Sequence, residues 1–221
     1  YSTLQRFIFG FFYWKKELKK IKPDIFETFS LPLIESPVGK TVLTIHDIRY
    51  LKFPLFYSKF RVLIAKKIVK EAAIKADILL VVSETIKDEL AEYTNKAKIK
   101  VIYNPSDSML SKAYKEKKII KNSDTTFGFL GKFILSVGII EKRKNYINLI
   151  QSVSLLHSIG YDFKLVIVGN RSDDFQNVIN LIDNKKLNNK IILYRNISDH
   201  NLKYLYKNSE GFIFQSIYEG F

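Results

Sequence analysis

Cysteine is absent from the 221 residues, so neither a disulfide nor a thiolate metal site is available, which fits a reducing compartment. Long apolar runs are missing too: no stretch of about 18 uncharged apolar residues occurs, which argues against a transmembrane helix. The apolar start, Phe7 to Trp14, is short and followed by lysines, the wrong order for a secretory leader. No Gly-x-Gly-x-x-Gly follows a strand-like run, which weakens a dinucleotide reading, and without Gly-Lys-Ser/Thr there is no ordinary P-loop. There is no metal-ligand cluster, no Ser/His/Asp spacing and no Asp-x-Asp placed for a metal–diphosphate site. Acidic side chains are scarce: 22 against 36 basic ones, a formal net charge of +14.

That excess is uneven. Residues 1–120 hold 23 basic and 13 acidic side chains, and residues 121–221 hold 13 and 9. Such a balance suits an anionic partner, whether nucleic acid, phosphorylated small molecules or an acidic membrane surface. A lysine-rich composition with solvated faces accounts for it equally well, because the lysines are dispersed and form no single stripe. What is abundant is core material: 47% hydrophobic and 14% aromatic residues argue against disorder.

Short apolar runs alternate with helical stretches, the mark of parallel α/β architecture. Residues 41–45, 77–82 and 99–103 read as strands. Residues 57–75 have helical spacing through Phe60, Ile64, Ile68 and Ala72, and Ser83 can cap a short helix running from Glu84 to Tyr93. Residues 106–126 are polar and lysine-rich and read as a connector. The pattern then restarts, with strands predicted at 133–137, 163–168, 191–194 and 211–214. Helices are predicted after Asn145 through about Ser158, over 173–187 and over 199–207. Continuous apolar runs mean strands covered on both faces. Two Rossmann-like halves are therefore expected, over 1–126 and 127–221. Both ends read as cuts, at Ile21 to Phe26 and again where the last strand has no covering helix. Both halves are thus expected to be incomplete, and the isolated chain inactive.

Four places carry chemistry. The loop Gly138-Ile139-Ile140-Glu141-Lys142-Arg143-Lys144-Asn145 puts three consecutive cations between a strand and a helix, where an open α/β sheet binds phosphate. Taken alone, such a run is more often a solvated basic loop. His46-Asp47 follows the strand 41–45 at the sheet's binding edge, where imidazole can meet a substrate hydroxyl or a developing charge, or simply be satisfied by Asp47 or nearby backbone. His157 and His200 read as surface residues. Glu219 follows the final strand in the topological position of His46, and its carboxylate can accept from sugar hydroxyls; alone it is a turn residue beside Gly220.

In this order these elements resemble the retaining glycosyltransferases of family 4, of the GT-B fold, and especially the bacterial mannosyltransferase-like members that build surface polysaccharide. The likeness runs from about Pro23 to Phe221. It rests on His46-Asp47 with Phe53-Pro54, Ala76-Asp77 through Val82-Ser83, Val137-Gly138 with Glu141 to Asn145, and Ser216 to Phe221, with Gln215 where the family has proline.

The resemblance implies two domains facing a cleft and transfer of a sugar, with retention, from a nucleotide-diphosphate sugar to a hydroxyl acceptor. Surface polysaccharide or lipopolysaccharide synthesis would be the setting. His46 and Glu219 would be catalytic; Gly138, Arg143 and Lys144 would hold the donor diphosphate. Asn145, Gly169, Asn170, Asn196, Ser216, Gly220 and Phe221 would line the rest of the donor site. Many relatives have arginine directly after the glycine, where this chain has Ile139, which shifts weight onto Arg143. No metal and no cofactor is expected. GDP-mannose is favoured over UDP- or dTDP-sugars, on the form of the Glu-x-Arg-Lys-Asn element. A lipid-linked or saccharide acceptor, an anionic membrane surface and a cytoplasmic, inner-leaflet location complete the expectation, with no nucleic acid. Two alternatives stand beside it: a polyanion- or nucleic-acid-binding α/β protein without catalysis, and another GT-B enzyme such as a sugar-nucleotide epimerase.

Overall fold

The structure, a computed structural model, describes residues 13–105 and 131–220. The connector read at 106–126, residues 7–12 of the apolar start and Phe221 lie outside the described residues. The described chain divides into two units, residues 13–105 with Glu219 and Gly220, and residues 131–218.

The first unit opens with α1 (Lys15–Ile21), which ends in a left-handed Lys22, and continues into β1 (Ile25–Thr28). Then follow β2 (Lys40–Ile45), a short α2 (Arg49–Lys52), a 3₁₀ turn at Pro54–Phe56, α3 (Lys59–Lys75), β3 (Ile78–Val81), α4 (Glu84–Leu90) and β4 (Ile99–Val101). All four strands are parallel, in the order β1-β2-β3-β4. Every β2 residue except Lys40 and Thr44 is buried, as an apolar run covered on both faces requires.

Asp77 stitches the entry of β3 to β2. Its carboxylate accepts from the Thr41 N–H at 2.9 Å and from Lys40 Nζ at 3.0 Å. The Thr41 hydrogen bond, then the lysine, holds this carboxyl below its ordinary range. Ser83 caps α4 by accepting from the Ile86 N–H, as its sequence position implies.

The second unit alternates strictly. β5 (Phe133–Val137) leads to α5 (Tyr146–Ser158), β6 (Lys164–Val168), α6 (Phe175–Asn184), β7 (Ile191–Tyr194), α7 (Asp199–Asn208) and β8 (Gly211–Phe212). The strands are parallel in the order β7-β6-β5-β8. Central β6 is buried from Leu165 to Val168. Leu165 and Ile167 belong to the core shared with α5 and α6, while Val166 and Val168 belong to the core shared with Leu205 of α7. This alternation makes three layers, helix on sheet on helix. Each fully buried Leu or Ile contributes about 1.5–3 kcal/mol.

Several boundaries fall short of the periodicity. β4 stops at Val101 and β8 at Phe212, although Ile102 and Ile213 still donate to Val81 and Leu135; α4 stops at Leu90. Tyr103 and Phe214 point to solvent, so the apolar run outlasts the sheet.

Candidate functional site: the carboxyl edge of the second sheet

The chain runs outward from β5 to β6 to β7 and then returns to the other side of β5 as β8. Strand order therefore reverses between β5 and β8, and at such a switch point the loops diverge and leave a crevice at the carboxyl ends of the strands. The two loops there are Gly138–Asn145, after β5, and residues 213–218, after β8.

The first loop is held in place along its length. The Gly138 N–H donates to Val168 O at 2.9 Å, and the Ile140 N–H to Asn170 O at 2.9 Å. A Cβ on Gly169 would sit 1.8 Å from the Gly138 carbonyl oxygen, so only glycine lets the ends of β5 and β6 approach this closely. Buried Tyr146, the first residue of α5, donates its hydroxyl to the same carbonyl at 2.9 Å. Burial pushes this phenol up to about 12. Lys142–Lys144 form a 3₁₀ turn, and Asn145 closes it in the left-handed region, at φ 59°, which asparagine tolerates.

Arg143 is not a solvated cation. It is 8% exposed. Its Nη2 and Nε donate to Glu141 Oε1 at 2.6 and 3.1 Å, and its Nη1 donates to the Tyr218 carbonyl at 2.6 Å. The Ile217 N–H donates back to Arg143 O at 2.8 Å. The guanidinium thus clamps the β8 loop onto the β5 loop. Lys144 is half-buried with its ammonium 4.4 Å from the centroid of Phe214. Ser216 Oγ is enclosed and makes no hydrogen bond among the described residues. Gln215, where the resemblance has proline, accepts from the Ser136 hydroxyl at 3.3 Å. Asn196, after β7, is exposed and left-handed at φ 50°.

Gly138, Arg143, Lys144, Asn145, Gly169, Asn170 and Ser216 are therefore on the loops at one edge of one sheet. Glu219 and Gly220 group with the first unit. There His46 is exposed at the end of β2, and a Cβ on Gly220 would lie 2.1 Å from the His46 carbonyl oxygen. The Ser83 hydroxyl donates to Gly220 O at 2.6 Å. Asp47 accepts from the Arg49 N–H at 3.2 Å, so its carboxylate orders the start of α2. His157 is half-buried rather than a surface residue: it stacks on Phe163 with centroids 5.0 Å apart, an aromatic partner sitting beyond the helix end. His200 is exposed. Among the described residues no group of three His, Cys, Asp or Glu side chains could hold a metal.

Tyr146, the pairing of Glu141 with Arg143 and the second bond of Ser83 escaped the sequence reading. A tyrosine directly after a left-handed asparagine is the one local signal for the first. Glu141 lies only two residues from Arg143, and its pairing depends on the turn that folds the guanidinium back onto it, while the Ser83 bond joins positions far apart in the chain.

Two parallel-sheet α/β units, the second with a cationic loop at its switch point, define a chain of the GT-B fold class. A solved structure illustrates it. Anabaena Alr3699/HepE in complex with UDP and glucose aligns with TM-score 0.59 at 18% identity, over 83% of this chain and 48% of that one. The chain belongs to the group 1 glycosyltransferases of family 4. Residues 130–221 match the family model described as Glycosyl transferases group 1, and residues 1–108 the one described as Glycosyltransferase Family 4. It is 26% identical over 196 residues to the O-antigen chain mannosyltransferase RfbU of Salmonella typhimurium, covering 87% of this chain and 49% of RfbU. It is 28% identical over 187 residues to an N-acetylgalactosaminyltransferase of Campylobacter jejuni that acts on a diphospho-undecaprenol-linked sugar, covering 83% of this chain and 47% of that enzyme. The chain thus spans about half the length of these two relatives.

Proposed function

We propose that this chain carries the donor half-site of a retaining glycosyltransferase that moves a sugar from a nucleotide-diphosphate sugar to a hydroxyl of a lipid-linked or saccharide acceptor in surface polysaccharide synthesis. The observation that carries the reading is the cationic turn Lys142–Lys144 beside the enclosed hydroxyl of Ser216 at the β5/β8 switch point. Residues 1–126 then form the acceptor-side domain with its connector, and residues 127–221 the donor domain.

In the reaction the bond from the anomeric carbon to the diphosphate oxygen breaks, and the acceptor oxygen bonds to that carbon on the same face. Charge grows on the departing diphosphate, so a fixed cation favours departure without a metal. Lys144 meets the diphosphate together with the Gly138 loop, and Arg143, through Glu141 and Tyr218, keeps that loop in position. Asn145, Gly169, Asn170, Asn196, Ser216, Gly220 and Phe221 bound the nucleoside and sugar. His46 and Glu219 serve the reacting sugar, the imidazole beside the developing oxocarbenium and the carboxylate accepting from sugar hydroxyls. GDP-mannose is the favoured donor, its mannose supported by the name of RfbU; the UDP in the HepE complex keeps UDP-sugars as the comparison. Catalysis takes place on the cytoplasmic side of the membrane.

Calorimetric titration of the 221-residue chain with GDP-mannose, UDP-glucose and a dTDP-sugar tests the assignment. GDP-mannose is expected to bind most tightly. Lys144→Ala should weaken that binding roughly tenfold or more, the worth of one charge-assisted hydrogen bond. Binding of no sugar nucleotide, or equal binding by Lys144→Ala, would sink the assignment.

A further inference from the structure

The peptide between Gly138 and Ile139 is gripped by its carbonyl. That oxygen lies on the β6 side, where a Cβ on Gly169 would sit 1.8 Å from it. The Gly169 N–H is spent elsewhere, on Tyr194 O at 2.9 Å. A side chain holds the carbonyl instead: the Tyr146 hydroxyl donates to it at 2.9 Å. Tyr146 is 1% exposed and belongs to the core that α5 shares with β6, so its ring has no room to swing away. Burial keeps the phenol protonated far above neutral pH, so the hydroxyl remains a donor.

This peptide is trans, so its C=O and N–H point to opposite sides. With the carbonyl on the β6 side of β5, the Ile139 N–H faces the β8 side, where the crevice of the switch point opens. Among the described residues it meets no hydrogen-bond acceptor. The amides on either side are committed, Gly138 to Val168 O and Ile140 to Asn170 O, both at 2.9 Å. The Ile139 side chain is apolar and 51% exposed, so the N–H is what this residue offers an anion. The Lys144 stem passes the same glycine, since a Cβ on Gly138 would sit 3.6 Å from Lys144 Cε.

We propose that the Ile139 N–H donates to a diphosphate oxygen of the sugar donor, and that Tyr146 is the positioning residue that aims it. The inference rests on the donor assignment at this loop and adds a neutral, fixed donor to the cation of Lys144. A backbone N–H already set in front of an anionic oxygen makes a charge-assisted hydrogen bond with little reorganisation. Tyr146 acts on it twice. Its O–H keeps the peptide plane from turning, and by drawing electron density towards the carbonyl it makes the N–H of the same peptide a stronger donor.

Amide NMR of the isotopically labelled 221-residue chain, titrated with GDP, inorganic pyrophosphate and guanosine, tests it. The Ile139 amide proton should move downfield with GDP and with pyrophosphate and stay in place with guanosine. Tyr146→Phe should shrink that movement and weaken GDP about fivefold, the worth of one neutral hydrogen bond, while guanosine binds as it does to the parent. A tyrosine with only a structural role would, on substitution, loosen GDP and guanosine alike and leave the Ile139 signal responding as before; that result overturns the proposal. Binding of GDP and pyrophosphate with an unmoved Ile139 amide in the parent also overturns it, and leaves the donor assignment standing. Binding of neither GDP nor pyrophosphate overturns both.

Discussion

Helices α3 and α5 do the same topological job and are anchored in opposite ways. Each carries the chain from one parallel strand to the next, α3 from β2 to β3 and α5 from β5 to β6. α5 buries its large residues, Tyr146, Leu149, Ile150 and Val153, and the loop before it is pinned through Gly138, Ile140 and Arg143. α3 buries Val69, Ala72 and Ala73 and presents its large residues to solvent, and the loop before it leaves His46 exposed. The difference separates two uses of one building block. A loop that must hold charge in a fixed place needs a helix welded to the core. A helix that packs through Val69, Ala72 and Ala73 puts only small residues inside, which let it sit close to the sheet.

Breaking the weld should produce the largest effect. Gly169→Ala drives a methyl group into the Gly138 carbonyl, which is backbone and cannot swing aside. It should destabilise the second unit by about 3–5 kcal/mol, read as a drop in the urea midpoint. A cost below about 1 kcal/mol would mean that the two strand ends separate easily.

Arg143→Ala comes next. It strands the Glu141 carboxylate in a largely enclosed position and frees the Tyr218 carbonyl, with an expected loss of about 3 kcal/mol. Arg143→Lys restores the charge but not the fork of donors, so it should recover only part of the loss. Full recovery by lysine would show that charge alone holds the loop.

The smallest effect has the most specific signature. Tyr146→Phe removes one buried hydrogen bond and should cost about 1 kcal/mol at neutral pH. The phenol titrates near 12 in the fold and near its ordinary value of 10 in the unfolded chain, so the unfolded state loses its proton first. The stabilisation is therefore complete below about pH 10 and declines by roughly 2–3 kcal/mol as pH rises to about 12. The phenylalanine variant should lack this alkaline limb in melts followed across that range. An unchanged limb would assign it elsewhere.

The strands were largely legible because runs such as Leu165–Val168 are apolar on both faces and leave no other reading. Loop positions followed from them. The burial of Arg143 was not legible, since a run of Lys142, Arg143 and Lys144 has the composition of a solvated turn, and the Tyr218 carbonyl that helps Glu141 draw one of the three inward lies far along the chain. The phase of α3 was also hidden. Phe60, Ile64, Ile68 and Ala72 have helical spacing, but apolar and charged residues are both spread round this helix, so its pattern does not say which side meets the sheet, and here Phe60 and Ile64 are the exposed ones. The switch point depends on β8 pairing with β5 rather than β7, a fact of strand order that no local pattern contains.

The Arg143–Tyr218 bond joins residues 75 positions apart. Closing so long a loop is entropically costly until β6, β7 and the helices between them have already drawn the ends together. The clamp therefore forms late in folding, after the scaffold that brings its partners within reach. By the same reasoning it is among the first bonds to break in a partial opening. Native-state hydrogen exchange should find the Ile217 amide, which donates to the Arg143 carbonyl, exchanging well before the amides of β6.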